Sequence, residues 1–302
     1  METDAQRRLE ACEQGVAAIQ AELQRLRGET TTADVGTLPF VSCVCVTGKT
    51  QWHVDHLLPQ AIECFQRQTY PADRRELVVV SDNISAPLPP EGTGLRTVLA
   101  PHGSLGALRN LGLEKARGDL IMQWDDDDWH HPKRIEEQVE AYLNQPDRPC
   151  FLKRQLCYSW DTDVLYVREF PDRQFPCIAG TILHPKTDFR YPDLGRDEDT
   201  EFAKQWPIQH WNVMDVSPLL YLRFSHDDST SGHEHVMREA AHWPRGTWAV
   251  DERALPGIRK VIESYRPHFC ASQSASQSAV NGAPATVPFV QPAALTPSPA
   301  AT

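Results

Sequence analysis

The sequence lacks any apolar run that approaches the ~18 residues of a membrane-spanning helix. Its N-terminus also lacks the basic segment followed by an apolar segment that marks a signal peptide. We therefore expect no membrane span and no secretory leader, and we expect a soluble, cytoplasmic protein.

The sequence has fewer basic than acidic residues, and it has no closely spaced CxxC cysteine pairs. The 302 residues include 30 Lys and Arg against 41 Asp and Glu, which gives a net charge of -11 and disfavours nonspecific attraction to nucleic acid. None of the eight cysteines forms a CxxC pair, so neither a zinc knuckle nor a disulfide framework is indicated. Cys43 and Cys45 fall in a predicted strand, and we expect most cysteines to be small buried hydrophobes.

The two ends of the chain differ in composition from its middle. An apolar heptad stripe predicts an amphipathic helix within residues 1–30, which could form a coiled coil with another copy or pack on its own domain. Residues 271–302 are rich in Ser, Ala, Gln, Pro and Thr, which predicts a disordered tail. The stripe consists of Leu9, Cys12, Val16, Ile19, Leu23 and Leu26.

Between these ends, predicted strands and helices alternate within one catalytic domain, residues 38–265. The alternation predicts an α/β fold with a mostly parallel central sheet and helices on both faces. The strands are predicted at 41–46, 77–80, 97–100 and 120–124, and the helices at 56–68, 105–116 and 132–143.

Four consecutive aspartates, Asp125 to Asp128, follow the apolar run 120–124. Two unit charges ~6 Å apart repel by ~3 kcal/mol at an effective dielectric of ~20, so such a cluster needs a counter-charge or must take up protons. A hard divalent cation is the natural counter-charge, and Mg²⁺ usually arrives with substrate phosphates. The alternative is a solvated acidic turn. Asp82 also follows a predicted strand, and ligands of parallel sheets bind beyond the carboxyl ends of their strands.

Three familiar motifs fail on inspection. Gly48-Lys49-Thr50 resembles the end of a phosphate-binding loop, but the glycine required five residues earlier is Cys43. A calcium loop that started at Asp125 would have Trp129 at its fifth position and His130 where glycine makes the turn. An aspartyl-phosphate phosphatase normally has a small hydroxyl residue at the position of Trp129, and it is kept only as an alternative.

Four separated motifs resemble those of family 2 glycosyltransferases, over about residues 39–244. The resemblance implies the A-type glycosyltransferase fold, with a nucleotide-sugar half at 38–145 and a smaller, less regular acceptor half at 146–265. The motifs are Val41–Thr47, Leu77–Asn83, Leu108–Asp119 running into the aspartates, and Gly195–Phe202.

The resemblance assigns the aspartate cluster to the donor and its metal ion. Asp127 matches a metal ligand, and Asp125 matches a residue that binds ribose or metal. Asp128 would orient the cluster, and Asp126 would point the other way if strand alternation continued. His226 resembles the late histidine that completes the metal or diphosphate site, although His233 and His235 leave that assignment open.

The resemblance also assigns residues to the nucleotide and to the donor sugar. Thr47 and Asp82 resemble positions that recognise the base. Arg109 resembles a donor-side arginine, with a surface arginine as the alternative. Gly180, which we place after a strand, resembles a small-residue loop near the donor sugar, and a simple bulge is the alternative.

On the acceptor side, Asp199 resembles the catalytic base, which removes the proton of the acceptor hydroxyl. Glu198 would steady the loop or contact the acceptor. The alternative for both is an acidic first turn that favours a helix N-terminus. One base and direct displacement imply inversion at the anomeric carbon.

The resemblance therefore implies an inverting glycosyltransferase that uses Mg²⁺ or Mn²⁺ to move a sugar from a nucleotide diphosphate to a glycan, lipid-linked or protein acceptor. Two alternatives remain. A sugar-1-phosphate nucleotidyltransferase shares a nucleotide-binding α/β core but normally has a basic, glycine-rich loop after its first strand. A catalytically silent sugar- or metal-binding protein could assemble through the N-terminal helix.

Overall fold

The structure, a computed structural model, describes residues 38–83, 88, 90, 92, 94–160, 162–169, 175–226, 247–250, 255 and 257–277. The predicted N-terminal helix, His233 and His235 lie outside these residues. No helix in the described ranges is long and apolar enough to cross a membrane.

Strands and helices alternate along the described chain. The strands are β1 (Val41–Thr47), β2 (Arg75–Ser81), β3 (Leu95–Leu99), β4 (Leu120–Asp125), β5 (Trp129–His130), β6 (Cys150–Leu152), β7 (Arg154–Ser159), β8 (Val164–Glu169), β9 (Ile178–Pro185), β10 (Asn212–Met214), β11 (Tyr221–Ser225) and β12 (Thr247–Ala249). The α-helices are α1 (Leu58–Gln66), α2 (Leu105–Lys115), α3 (Arg134–Asn144), α4 (Glu198–Ala203) and α5 (Ile258–Gln277), and a π-helical turn at His53–Leu57 leads into α1.

The central sheet has the order β10-β6-β9-β4-β1-β2-β3 in the described part of the chain. The pairs β4–β1, β1–β2, β2–β3 and β10–β6 are parallel, and β9 runs antiparallel to both β4 and β6. Helices α1 and α3 pack on one face, and α2 and α4 pack on the other. Because β1 is buried on both faces, its sequence is apolar almost throughout and does not alternate.

A second sheet, in the order β12-β8-β7-β11-β5, occupies the region that sequence analysis treated as the less regular acceptor half. One face of this sheet contributes apolar side chains such as Leu156, Leu222 and Phe224 to the main core. Strand β5 directly follows the aspartates and pairs with β11, with His130 opposite Tyr221. The aspartates therefore connect β4 of the central sheet to β5 of the second sheet.

The predicted elements agree with the structure to within a few residues, and the mostly parallel sheet between two helical layers is confirmed. Cys43 and Cys45 are buried and unpaired, as expected. The C-terminal prediction needs a correction, because α5 continues through Gln277 into the segment predicted as disordered. Apolar residues of α5 such as Ile262 and Tyr265 are buried in the core, which anchors this helix.

Gly106, in the first turn of α2, allows the loop before α4 to lie against that helix. Its N–H donates to the carbonyl of Leu194 at 2.9 Å, and a Cβ here would lie 1.9 Å from the carbonyl oxygen of Pro192. Alanine would gain ~1 kcal/mol of helix propensity, but overpacking against a backbone atom costs ~1–3 kcal/mol or more. We expect Gly106→Ala to lower the free energy of unfolding by ~2 kcal/mol in denaturant titrations. Gly195→Ala is the control, because nothing lies within 4 Å of its Cβ position, and an equal loss in both variants would contradict the steric explanation.

Candidate active site

The carboxyl ends of β1, β2 and β4 open into one cleft of about 930 Å³. Parallel α/β sheets bind ligands at this edge, where strand ends and helix N-termini converge. Nearly all of the predicted site residues line this cleft. They are Thr47, Asp82, Arg109, Asp125, Asp127, Asp128, Gly180, Glu198 and Asp199.

Asp125 and Asp128 are held in place by hydrogen bonds from other elements. Asp125 accepts from Nη2 of Arg109 at 3.0 Å and from the hydroxyl of Tyr221 at 3.0 Å, and Nε2 of Gln123 lies 3.2 Å from its Oδ1. Asp128 accepts from the backbone N–H of Phe224 at 3.0 Å and also from Tyr221. Both carboxylates are therefore fixed before any ligand arrives.

Asp127 pairs with His226, which directly follows β11. Nε2 of His226 lies 3.2 Å from Oδ2 of Asp127, and Nδ1 of the buried imidazole has no hydrogen-bond partner within the described ranges. Burial pushes the pKa of Asp127 up, but the hydrogen bond from His226 and the charges of His226, His53 and Arg223 outweigh it and lower the pKa to about 2. Asp127 is therefore ionised at neutral pH.

Asp126 lies beside Thr47 and still lines the cleft. The expected strand alternation does not continue, because β4 ends at Asp125 and the chain turns there. Burial and then the charge of Asp127 raise the pKa of Asp126 well above its usual range, and the same two causes act on Asp128. The pKa of Asp127 is therefore shifted in the opposite direction to the pKa values of Asp126 and Asp128.

Arg109 is buried rather than on the surface, which rules out the alternative weighed for it. Besides Asp125, it contacts Glu198, whose Oε1 accepts from Nε at 2.9 Å. One guanidinium thus joins the end of β4 to the start of α4. Its third nitrogen, Nη1, is buried without a partner in the part of the chain that the structure describes.

Asp199 lies in the first turn of α4 and faces Asp125 across Gly180. A Cβ at position 180 would lie 3.4 Å from Oδ2 of Asp199 and 3.5 Å from Oδ2 of Asp125. Oδ1 of Asp199 accepts from the N–H of Thr200 at 2.6 Å. Burial, together with the charge of Asp125, raises the pKa of Asp199 against the opposing charge of Arg109.

Gly180 lies inside β9 rather than in a loop after a strand, so that part of the prediction is wrong. The register between β6 and β9 shifts at this point, because Cys150 pairs with Leu183 whereas Leu152 pairs with Ile178. This irregular pairing agrees with the bulge alternative, and a residue without a side chain leaves room between the two carboxylates.

Asp82 lies at the far end of the cleft, directly after β2. Its carboxylate contacts Nδ1 of His102 at 2.7 Å, and the His102 side chain is 93% exposed. Thr47 ends the neighbouring strand β1. Asp82 and Thr47 therefore lie at the ends of neighbouring parallel strands.

Sequence reasoning missed several side chains of the cleft. Tyr221, Arg223, Arg168 and Gln155 line it from the second sheet, and Gln123 lines it from β4. Two sequence signals could have found some of them. In β11 the polar residues alternate with apolar ones, and Gln123 interrupts an otherwise apolar strand.

A metal ion would find two protein ligands here rather than a closed cage. Asp127 and His226 stand together, and no group of three or more His, Cys, Asp or Glu suited to a metal occurs among the residues with assigned positions. Mg²⁺ is usually held by one or two carboxylates together with substrate phosphates. Imidazole is a common metal ligand, although Mn²⁺ prefers carboxylate to imidazole. The ionised Asp127 and Nε2 of His226, which lie next to each other, fit a metal that is completed by its substrate.

Part of the cleft, including the ends of β2 and β4, falls within a segment that matches a known family. Residues 53–158 match the family described as Glycosyl transferase family 2. About a third of the chain is therefore similar to family 2 glycosyltransferases. The matched segment contains Asp82, Arg109 and the aspartates, whereas Thr47, Gly180, Asp199 and His226 lie outside it. The mixed α/β architecture around this segment, with its central sheet between helices, agrees with the fold that the resemblance implied.

Crystal structures of S. aureus TarS are similar to the chain. The structure of residues 1–349 has 15% identity over 61% of this chain and 60% of that chain, with a TM-score of 0.47. The same fragment in complex with UDP-GlcNAc has 15% identity over 63% and 60%, with a TM-score of 0.48. A further structure of S. aureus TarS has 14% identity over 63% of this chain and 37% of that chain, with a TM-score of 0.45. The chain thus spans about three fifths or less of the length of these structures. No curated protein matches the chain significantly.

Proposed function

We propose that the protein is an inverting, metal-dependent glycosyltransferase that moves a sugar from a nucleotide diphosphate to a hydroxyl of a glycan, lipid-linked or protein acceptor. One observation carries this proposal. The ionised Asp127 beside His226 and the separate carboxylate of Asp199, which lies near Asp125 at Gly180, open into one cleft. A sugar transfer needs both a site for the leaving diphosphate and a base on the other side of the sugar.

On the donor side, Asp82 and Thr47 bind the base, and Asp125 binds the ribose. Asp127 and His226 hold the divalent ion, which when bound stabilises the negative charge that develops on the leaving diphosphate. Because Arg109, Gln123 and Tyr221 fix Asp125 in advance, little reorganisation is needed when the donor binds.

On the acceptor side, Asp199 removes the proton of the incoming hydroxyl as it attacks the anomeric carbon. Burial makes this carboxylate a stronger base by raising its pKa. Because Gly180 has no side chain, no atom at this position separates the carboxylates of Asp199 and Asp125. A single base with direct attack predicts inversion of the anomeric configuration.

A panel of nucleotide sugars, assayed with Mg²⁺, with Mn²⁺ and with EDTA, tests the proposal. We expect release of a nucleoside diphosphate that requires the metal, and NMR of the glycoside product should show the inverted anomer. Formation of a nucleotide sugar from a sugar 1-phosphate and a nucleoside triphosphate would instead indicate a nucleotidyltransferase. Donor binding without turnover across the panel would indicate a catalytically silent protein.

A further inference from the structure

Arg134, the first residue of α3, is a fully buried cation close to the end of β4. Within the described residues it forms no ion pair with a carboxylate. A buried charge without a partner is costly unless hydrogen bonds and the surrounding field compensate it. The nearby negative charges include Asp125 and Asp128, which act on Arg134 through space.

Each nitrogen of the Arg134 guanidinium has a hydrogen-bond acceptor. Nη1 lies 2.5 Å from Nδ1 of His130, Nη2 donates to the carbonyl of Gln123 at 3.1 Å, and Nε donates to Oε1 of Gln138 at 3.1 Å. Because a guanidinium can only donate, Nδ1 of His130 must accept and carries no proton. The neutral imidazole then has its proton on Nε2, which lies 3.2 Å from the carbonyl oxygen of Asp125.

The guanidinium also packs against the aromatic ring that contacts the aspartates. Its carbon lies 4.8 Å from the ring centre of Tyr221, and the hydroxyl of that tyrosine bonds both Asp125 and Asp128. Cation–π contacts of this kind are stronger where the cation is desolvated. Arg134 thus reaches Asp125 by three routes, through His130, Tyr221 and the backbone of Gln123.

Arg75 shows that burial of an arginine does not by itself imply a role at the site. Arg75 is also buried, but it donates to backbone carbonyls of Tyr70, Phe65 and Gln68, next to the C-terminal end of α1. None of these groups contacts the aspartates in the described part of the chain. Arg75 therefore serves as a matched arginine with a purely structural set of partners.

We propose that Arg134 is a positioning residue, which acts through His130, Tyr221 and Gln123 to fix the Asp125 carboxylate and to place a permanent positive charge behind the aspartate cluster. The proposal rests on the proposed function, because it takes Asp125 to be a donor-binding group. Lysine cannot replace the guanidinium, because one ammonium group lacks the planar fork that serves three acceptors and the Tyr221 ring at once.

Kinetics of Arg134→Lys against Arg75→Lys form the first test. Loss of an outer positioning contact typically costs 10–100-fold in affinity or activity. We expect Arg134→Lys to raise the donor KM about tenfold or more while the acceptor KM changes by less than about twofold. Arg75→Lys should reduce the melting temperature but leave the donor KM unchanged. Equal effects of the two variants on the donor KM would overturn the proposal.

A double-mutant cycle with Tyr221→Phe tests the route of the effect. If Arg134 acts through the tyrosine, the double variant should lose donor affinity by clearly less than the product of the two single losses. Multiplicative losses would show that the two residues act independently, and they would contradict the route through Tyr221.

A third measurement does not depend on turnover. ¹⁵N NMR of labelled histidines should show His130 as the neutral Nε2–H tautomer in the wild type and in Arg75→Lys, and a changed tautomer or charge in Arg134→Lys. If the wild type turned over no donor, the proposed function would be wrong. The NMR spectrum would still show whether Arg134 contacts Nδ1 of His130. If Arg134→Lys did not fold, the wild-type spectrum alone would decide, since a proton on Nδ1 of His130 would overturn the inference.

Discussion

Replacing Asp127 with asparagine should lower kcat/KM for the donor by about a hundredfold or more. The pKa of about 2 means that Asp127 carries a full negative charge at any physiological pH, and an amide cannot supply that charge to a metal ion. The melting temperature should fall little, because the Asp127 charge also opposes ionisation of Asp126 and Asp128. Donor turnover and differential scanning fluorimetry, each with and without Mn²⁺, measure both effects.

Asp126→Asn is the matched control for this variant. Asp126 neighbours Asp127, also lines the cleft although it is more buried than Asp127, and undergoes the same change of carboxyl to amide. Because its pKa is raised well above the usual range, the wild-type group is closer to the neutral form that asparagine resembles. We expect Asp126→Asn to retain most of the activity. Similar losses of activity in Asp127→Asn and Asp126→Asn would mean that the total charge of the four aspartates matters and that Asp127 has no separate role.

The sequence predicted those parts of the fold and site that depend on neighbouring residues. Strand β4 is an apolar run followed by charges, so both its burial and the exposure of Asp125 at its end follow from local pattern. The predicted start of α2 at residue 105 agrees with the structure, where the hydroxyl of Ser104 accepts from the N–H of Ala107 at 3.1 Å. The position of Asp199 at a helix start was likewise visible as an acidic first turn.

The contacts that join distant segments could not be predicted in this way. Arg109 could be assigned to a helix, but its pairing with Glu198, 89 positions away, depends on how α4 packs against α2. The second sheet was missed because β5 has two residues and takes its partner β11 from far along the chain. The bulge at Gly180 depends on the pairing of β6 with β9, which a single strand sequence does not specify.

Replacing Asp199 with asparagine should lower kcat by about 10²–10⁴-fold and leave the donor dissociation constant nearly unchanged. The expected loss is confined to the chemical step because the proposed donor contacts belong to Asp125 and Asp127, whereas the hydrogen bonds of the Asp199 carboxylate go to Thr200 in its own helix. The pH profile gives a second readout. Burial raises the pKa of Asp199, so the wild-type rate should fall with decreasing pH as this carboxylate takes up a proton, at a pH above the usual range for aspartate. The variant should lack that acid limb.

Glu201→Gln distinguishes this role from that of an acidic first turn. Glu201 lies in the same turn of α4 but is exposed and pairs with Lys204 at the surface. If the acidic residues only favoured the positive end of the helix, each substitution would cost ~0.3–1 kcal/mol of stability and neither would change kcat. If Asp199 is the base, only Asp199→Asn should lose turnover, with the nucleotide still binding in calorimetry. Full turnover in Asp199→Asn would show that Asp199 is not the catalytic base. The structural reason to expect inversion would then be lost as well.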